Sequence, residues 1–188
     1  FRNSENGIQN LNLHEESGKL VGILGGSGVG KSTTLSILNG TLKPQNGEVL
    51  INGYNLYDEK GKEALKGVIG LVPQDDLLIE ELTVYQNIYF NAKMCLNNLS
   101  EDKISEVVNK TLVDFDLLEI KDLKVGNPLK KVISGGQRKR VNIALELLRE
   151  PTILFVDEPT SGLSSVDSEA VMDLLKEQTY KGKLVIIN

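Results

Sequence analysis

The sequence predicts an α/β fold with a largely parallel central sheet, and three observations carry that prediction. Continuous apolar runs at 20–24, 67–72, 153–156 and 184–187 read as buried strands. Helical spacing dominates between 76 and 150. A glycine-rich loop joins the first apolar run to the helix that follows it.

At the start of the chain, Ile8, Leu11 and Leu13 alternate as a strand would, and 16–19 reads as a turn before the buried strand 20–24. The loop then runs Gly25-Gly26-Ser27-Gly28-Val29-Gly30-Lys31-Ser32, with Thr33 behind it. Strand, glycine loop and helix is the setting in which G-x-x-x-x-G-K-[ST] is a phosphate cradle, the P-loop of nucleotide-hydrolysing enzymes. Glycines let successive backbone N–H groups converge on a phosphate, and the helix start adds free donors and partial positive charge. Lys31 is expected to reach the β- and γ-phosphates and Ser32 to ligate Mg²⁺. Beyond a loop at 43–47, residues 48–53 read as a strand closing on Gly53. The strand 67–72 is stopped by Pro73, and Gln74 follows at its carboxyl end, where open α/β sheets put ligand contacts.

In the helical stretch, Thr83 and Gln86 have capping-box spacing, and Ser100 can cap a helix whose apolar face is Ile104, Val107, Val108, Thr111 and Leu112. Tyr85 and Tyr89 read as packing or surface residues. Ser134-Gly135-Gly136-Gln137 repeats the capping box ahead of a helix reaching Leu148, which Pro151 ends. Its two glycines expose donors at a second helix start, which suits a second phosphate as well as a plain cap. Asp157 and Glu158 close the strand 153–156: an aspartate there can hold Mg²⁺, and a glutamate can deprotonate a water. Strands at both ends with helices between them imply a sheet core carrying an inserted helical lobe.

The 188 residues carry 21 Lys and Arg against 26 Asp and Glu, a net charge of −5 with no long basic run, so no nucleic-acid partner is expected. One cysteine, Cys95, excludes an internal disulfide and suits a reducing compartment. No apolar stretch matches a membrane span, so the domain itself reads as soluble, and both ends read as the middle of elements, as in a fragment.

Together these motifs resemble the nucleotide-binding domain of an ATP-binding cassette (ABC) protein over nearly the whole chain. Residues 25–33 match Walker A, Gln74 the Q-loop glutamine, 134–137 the signature, and 153–158 Walker B with its glutamate. The resemblance implies one domain over 1–188, with a RecA-like core and N-terminal β region at 1–75 and 151–188 and a helical lobe at 76–150. It implies ATP and Mg²⁺, with Gly25, Ser27, Gly28, Val29, Gly30, Lys31, Ser32 and Thr33 on the nucleotide and Phe1 stacked on adenine. Ser32, Gln74 and Asp157 would serve the metal, and Glu158, Gln74 and Lys31 the hydrolysis. It further implies a head-to-tail pair in which Ser134, Gly135, Gly136 and Gln137 complete the partner's site. A membrane permease would be driven from the cytoplasmic face.

Arg138-Lys139-Arg140, 144–147 and 159–163 look like the G-type branch, whose ATPase precedes a membrane domain in the same polypeptide. Taken alone, the basic triplet reads as a solvated helix face. Two departures stand out: Ser164 occupies the place of the D-loop aspartate, and the chain stops before the family's switch histidine. His14 lies too early to be that group and reads as a surface residue. The rival readings are a soluble cassette ATPase of DNA repair or translation, a small-molecule kinase on the same cradle, and a non-hydrolysing regulator.

Overall fold

A computed structural model describes residues 7–8, 11–127 and 132–188. Its central sheet has four parallel strands, β1 (Leu20–Gly22), β4 (Ile69–Val72), β5 (Ile153–Val156) and β6 (Leu184–Ile187), in the order β1-β6-β5-β4. All four carboxyl ends therefore lie along one edge. The β5 strand is central and its Leu154, Phe155 and Val156 are fully buried, as the uninterrupted apolar run requires.

The antiparallel part is a separate ribbon of β2 (Leu50–Ile51) and β3 (Tyr54–Asn55). Here the sequence reading of one strand over 48–53 is corrected to a hairpin. Asn52 and Gly53 both take positive φ, 51° and 79°, which is the two-residue turn whose twist matches paired strands. The strand expected around Ile8, Leu11 and Leu13 does not form over residues 11–16, which have no regular structure. The turn reached at 17–18 is as expected.

Helix α1 (Lys31–Leu38) leaves β1 through the glycine loop. A short α2 (Glu59–Ala64) follows the ribbon, capped by the Asp58 carboxylate, which accepts from the Gly61 N–H at 2.5 Å. Gly61 has no alternative, because a Cβ there would lie 1.6 Å from the Asn55 carbonyl oxygen. Helices α3 (Val84–Cys95) and α5 (Gly135–Leu147) both start in complete capping boxes, Thr83 with Gln86 and Ser134 with Gln137. Helix α4 (Glu101–Asp114) buries Ile104, Val108 and Leu112, the stripe read from helical spacing.

The last helix, α6 (Ser165–Tyr180), begins at Ser164, whose Oγ accepts from the Asp167 N–H at 3.1 Å. One apolar cluster runs from Ile88, Val108 and Leu112 through Val141 and Ile143 to Val72, Leu154, Val156 and Val185. The helices are thus packed onto the sheet by a continuous core. A second cluster, Leu35, Phe155, Leu184 and Ile186, seats α1 on the opposite face. Each fully buried branched side chain contributes roughly 1.5–3 kcal/mol to this packing. Among the described residues no helix is long and apolar enough to cross a membrane.

Candidate functional site

The carboxyl edge of the sheet gathers the candidate residues from segments far apart in the chain. Gly28 and Gly30 of the loop have φ of 78° and 100°, conformations open to glycine without strain. Gly30 is also the N-cap of α1 and offers no side chain to it, and the first turn contains no acidic residue. The first N–H groups of α1 are left for an anion, which is what a phosphate cradle needs. Gly25, Ser27, Gly28 and Val29 are exposed, as are Ser32 and Thr33, so the cradle opens to the surface. Lys31 folds over it, its Nζ donating to the Gly25 and Gly26 carbonyls at 3.0 and 2.9 Å.

Facing the cradle, the Ser32 hydroxyl donates to Asp157 Oδ1 at 3.4 Å. A hydroxyl and a carboxylate side by side, beside free backbone donors, form the hard-oxygen pair that suits Mg²⁺ shared with phosphate. Glu158 is one residue further on, with φ of 43°, left-handed for a residue that has a Cβ. Strain of this kind persists where surrounding structure imposes it, and it collects at functional positions. The Glu158 carboxylate accepts from Gln74 Nε2 at 2.9 Å. Lys31, Ser32, Gln74, Asp157 and Glu158 therefore come together. Phe1 lies outside the described residues.

Ser134, Gly135, Gly136 and Gln137 form a separate feature. Ser134 is exposed at the start of α5, and its Oγ accepts from the Gln137 N–H at 3.0 Å while Gln137 Oε1 accepts from the Ser134 N–H at 2.8 Å. Among the described residues, no hydrogen bond joins these four to residues 25–33 of the same chain. The start of α6 packs on them instead: a Cβ on Gly136 would meet the Asp167 carboxylate at 2.2 Å, and one on Gly135 would meet Leu163 at 3.1 Å. Ser164, in the D-loop position, caps α6 and donates to Asp167 Oδ2 at 2.9 Å, so the carboxylate is drawn back toward the serine.

The reading of Arg138-Lys139-Arg140 as a solvated face is corrected. Arg138 is 12% exposed and grips Asp76, Nε and Nη2 donating at 2.5 and 2.9 Å, while Nη1 donates to the Gly126 carbonyl at 2.6 Å. Arg140 pairs with Asp116 at 2.8 Å. Lys139 is buried and donates to the carbonyls of Pro73, Gln74 and Asp157 at 3.1, 3.5 and 3.4 Å. Burial pulls its pKa below the usual lysine value, opposed by the carboxylates of Asp157, Asp76, Glu158 and Asp75. The signal for this was present: Gly136, Lys139 and Ile143 repeat at helical spacing along the inner face of α5.

Asn188 is a further site residue that sequence reasoning does not find. Its Oδ1 accepts from the Glu158 N–H at 2.9 Å and its Nδ2 donates to Ser32 Oγ at 3.3 Å, bridging cradle and glutamate. Only the parallel pairing of β6 beside β5 brings it there, and no local motif announces it.

Comparison with known proteins agrees with this geometry. The family model described as ABC transporter matches residues 8–161. An ABC-type transporter, claG, of Penicillium crustosum is 39% identical over 190 residues, covering 99% of this chain and 25% of that protein. ABC transporter G family member 13 of Arabidopsis thaliana is 39% identical over 180 residues, covering 95% of this chain and 26% of its own length. The broad substrate specificity ATP-binding cassette transporter ABCG2 of Bos taurus is 39% identical over 169 residues, covering 88% and 25%. The chain thus spans about a quarter of the length of these relatives.

Among solved structures, cbiO1 of Clostridium perfringens, described as part of the ABC transporter complex cbiONQ, superposes with a TM-score of 0.79 at 37% identity. The match covers 94% of this chain and 68% of that one. The α/β fold, the cradle at its sheet edge and these matches lead to one conclusion: the chain belongs to the ABC transporter family, as a nucleotide-binding domain of its G type.

Proposed function

We propose that this domain binds and hydrolyses ATP and that a pair of such domains drives a membrane transporter. The observation that carries the reading is the linked set Ser32, Asp157, Glu158 and Gln74 at the mouth of the glycine cradle. Hydrolysis of a phosphoanhydride needs positioning and charge neutralisation more than covalent chemistry, and each group in the set has a task of that kind. Loop amides from Gly25 to Gly30 and the first turn of α1 hold the phosphates. Lys31 exchanges its two loop carbonyls for phosphate oxygens. Ser32, Asp157 and Gln74 would hold Mg²⁺, and the bound ion would neutralise charge on the phosphates. Glu158 accepts a proton from the attacking water while Gln74 Nε2 holds one of its two carboxylate oxygens.

The exposed Ser134 and the helix start that follows it at 135–137 complete the site of a second copy, arranged head to tail. In this reading 1–75 with 151–188 is the nucleotide-holding core, and 76–150 is a lobe that carries its motion to a permease. The G-type resemblance implies a permease in the same polypeptide and this domain on the cytoplasmic face. The place of cbiO1 in a transporter complex supports a permease partner in general. The relatives bearing transporter names favour this reading over repair or translation ATPases.

Phosphate release by the purified full-length protein supplied with ATP tests the proposal. Release that requires Mg²⁺ and stops when the metal is chelated is the expected result. A protein that binds ATP yet releases no phosphate at any Mg²⁺ concentration would reduce the domain to a nucleotide-binding regulator.

A further inference from the structure

The structure assigns to Lys139 the role of a positioning residue, by which the signature helix holds Gln74 and the Asp157–Glu158 pair in register within its own chain. This rests on the ATPase reading above and adds a residue to it.

The geometry starts from where two strands end. β4 ends at Val72 and β5 at Val156, and the carbonyls just beyond them, of Pro73, Gln74 and Asp157, leave the ladder. Past the strand ends these oxygens need donors from outside the sheet. Lys139 reaches them from α5, five residues beyond Ser134, and divides its three N–H donors among the three oxygens. An ammonium suits this place where an apolar side chain does not. It satisfies carbonyls from two strands at one point and sets a positive charge beside four carboxylates, those of Asp75, Asp76, Asp157 and Glu158.

One contact is to the peptide of Gln74 itself and another to that of Asp157, so the ammonium fixes the spacing of both side chains. Arg138, the preceding residue, fastens the same loop through Asp76. A displacement of the signature is thereby carried to the glutamine and glutamate of the same chain. The three contacts of Lys139 are to backbone carbonyls, so it acts through the residues it holds.

The test compares ATP hydrolysis by the full-length protein with that of Lys139→Met, Lys139→Arg and Arg140→Met. Lys139→Met keeps the stem length and removes the donors. It is expected to lower kcat by roughly 10–100-fold, the range typical of residues that orient metal-site ligands, with KM for ATP and nucleotide affinity within about twofold of the parent. Lys139→Arg, which keeps a cation aimed at the same carbonyls, is expected to recover most of kcat. Arg140→Met, whose partner Asp116 is away from the site, is expected to hydrolyse normally.

Three outcomes would overturn the assignment. These are parental kcat in Lys139→Met, a loss of ATP affinity matching the loss of kcat, or equal impairment of the Met and Arg variants, which would make the site one of packing alone. If the parent protein itself releases no phosphate, the ATPase reading fails along with it. An active parent and an equally active Lys139→Met protein refute only the Lys139 assignment.

Discussion

Gln74 donates through Nε2 to Glu158 Oε2 at 2.9 Å, joining the carboxyl end of β4 to that of β5. The bond occupies one carboxylate oxygen and leaves the other for the proton that the proposed mechanism asks Glu158 to take from water. In that mechanism Gln74 orients the carboxylate, and Glu158 is the base.

Replacing the base is therefore expected to separate binding from hydrolysis. Glu158→Gln removes the proton acceptor while leaving loop, Lys31 and Ser32 in place. Phosphate release should fall by about 10²–10⁴-fold, the usual contribution of a general base, while ATP affinity persists. The bound pair should then accumulate as a closed dimer, visible by size-exclusion chromatography with Mg·ATP. Hydrolysis at the parental rate would remove Glu158 from its role.

Lys31 makes its two present contacts to loop carbonyls, so its loss should leave the fold intact. Lys31→Ala is expected to abolish measurable ATP binding by calorimetry with an unchanged circular dichroism spectrum. Unaltered affinity would mean that residues 25–33 are not the nucleotide cradle.

Ser164 raises a question of stability rather than chemistry. Its hydroxyl caps α6, accepting from the Asp167 N–H and donating to that residue's carboxylate. Ser164→Ala should cost about 1 kcal/mol in urea unfolding, whereas Ser164→Thr, which keeps both the acceptor and the donor, should lose less than half of that. An alanine variant as stable as the parent would show that the cap contributes nothing.

Gly136 is required by Asp167. A methyl group there would fall 2.2 Å from the carboxylate and 2.6 Å from its Cβ, so the start of α6 would have to move. Gly136→Ala is expected to destabilise by about 1–3 kcal/mol, as overpacking does. Adding Asp167→Ser should restore part of the loss. Failure of the second change to restore any of it would place the strain elsewhere.

What the sequence made legible follows from which forces are local. The capping boxes at Thr83 and Ser134, the stripe Ile104–Val108–Leu112 and the four apolar strands depend on near neighbours, and all are present. Asn52-Gly53 is as local a signal as any, yet reading by the apolar run before it takes 48–53 as one strand where a hairpin forms. The partners of Arg138 and Lys139 lie 62 and 66 residues away, so the helical repeat of Lys139 with Gly136 and Ile143 marks an inner face without showing what it meets. Asn188 depends wholly on strand order. Of the site, Lys31, Ser32, Gln74, Asp157 and Glu158 are readable as motifs, whereas the contacts that hold them are not.

In the proposed pair, residues 25–33 form half a site and residues 134–137 of a second copy form the other half. Mixing two inactive full-length variants, Lys31→Ala and Ser134→Arg, probes this division without intermediate assumptions. In a head-to-tail pair one site inherits both defects and the other inherits neither, so the mixture should recover Mg·ATP hydrolysis that neither variant shows alone. Mixed dimers that form and remain as inactive as the separate variants would rule the shared site out.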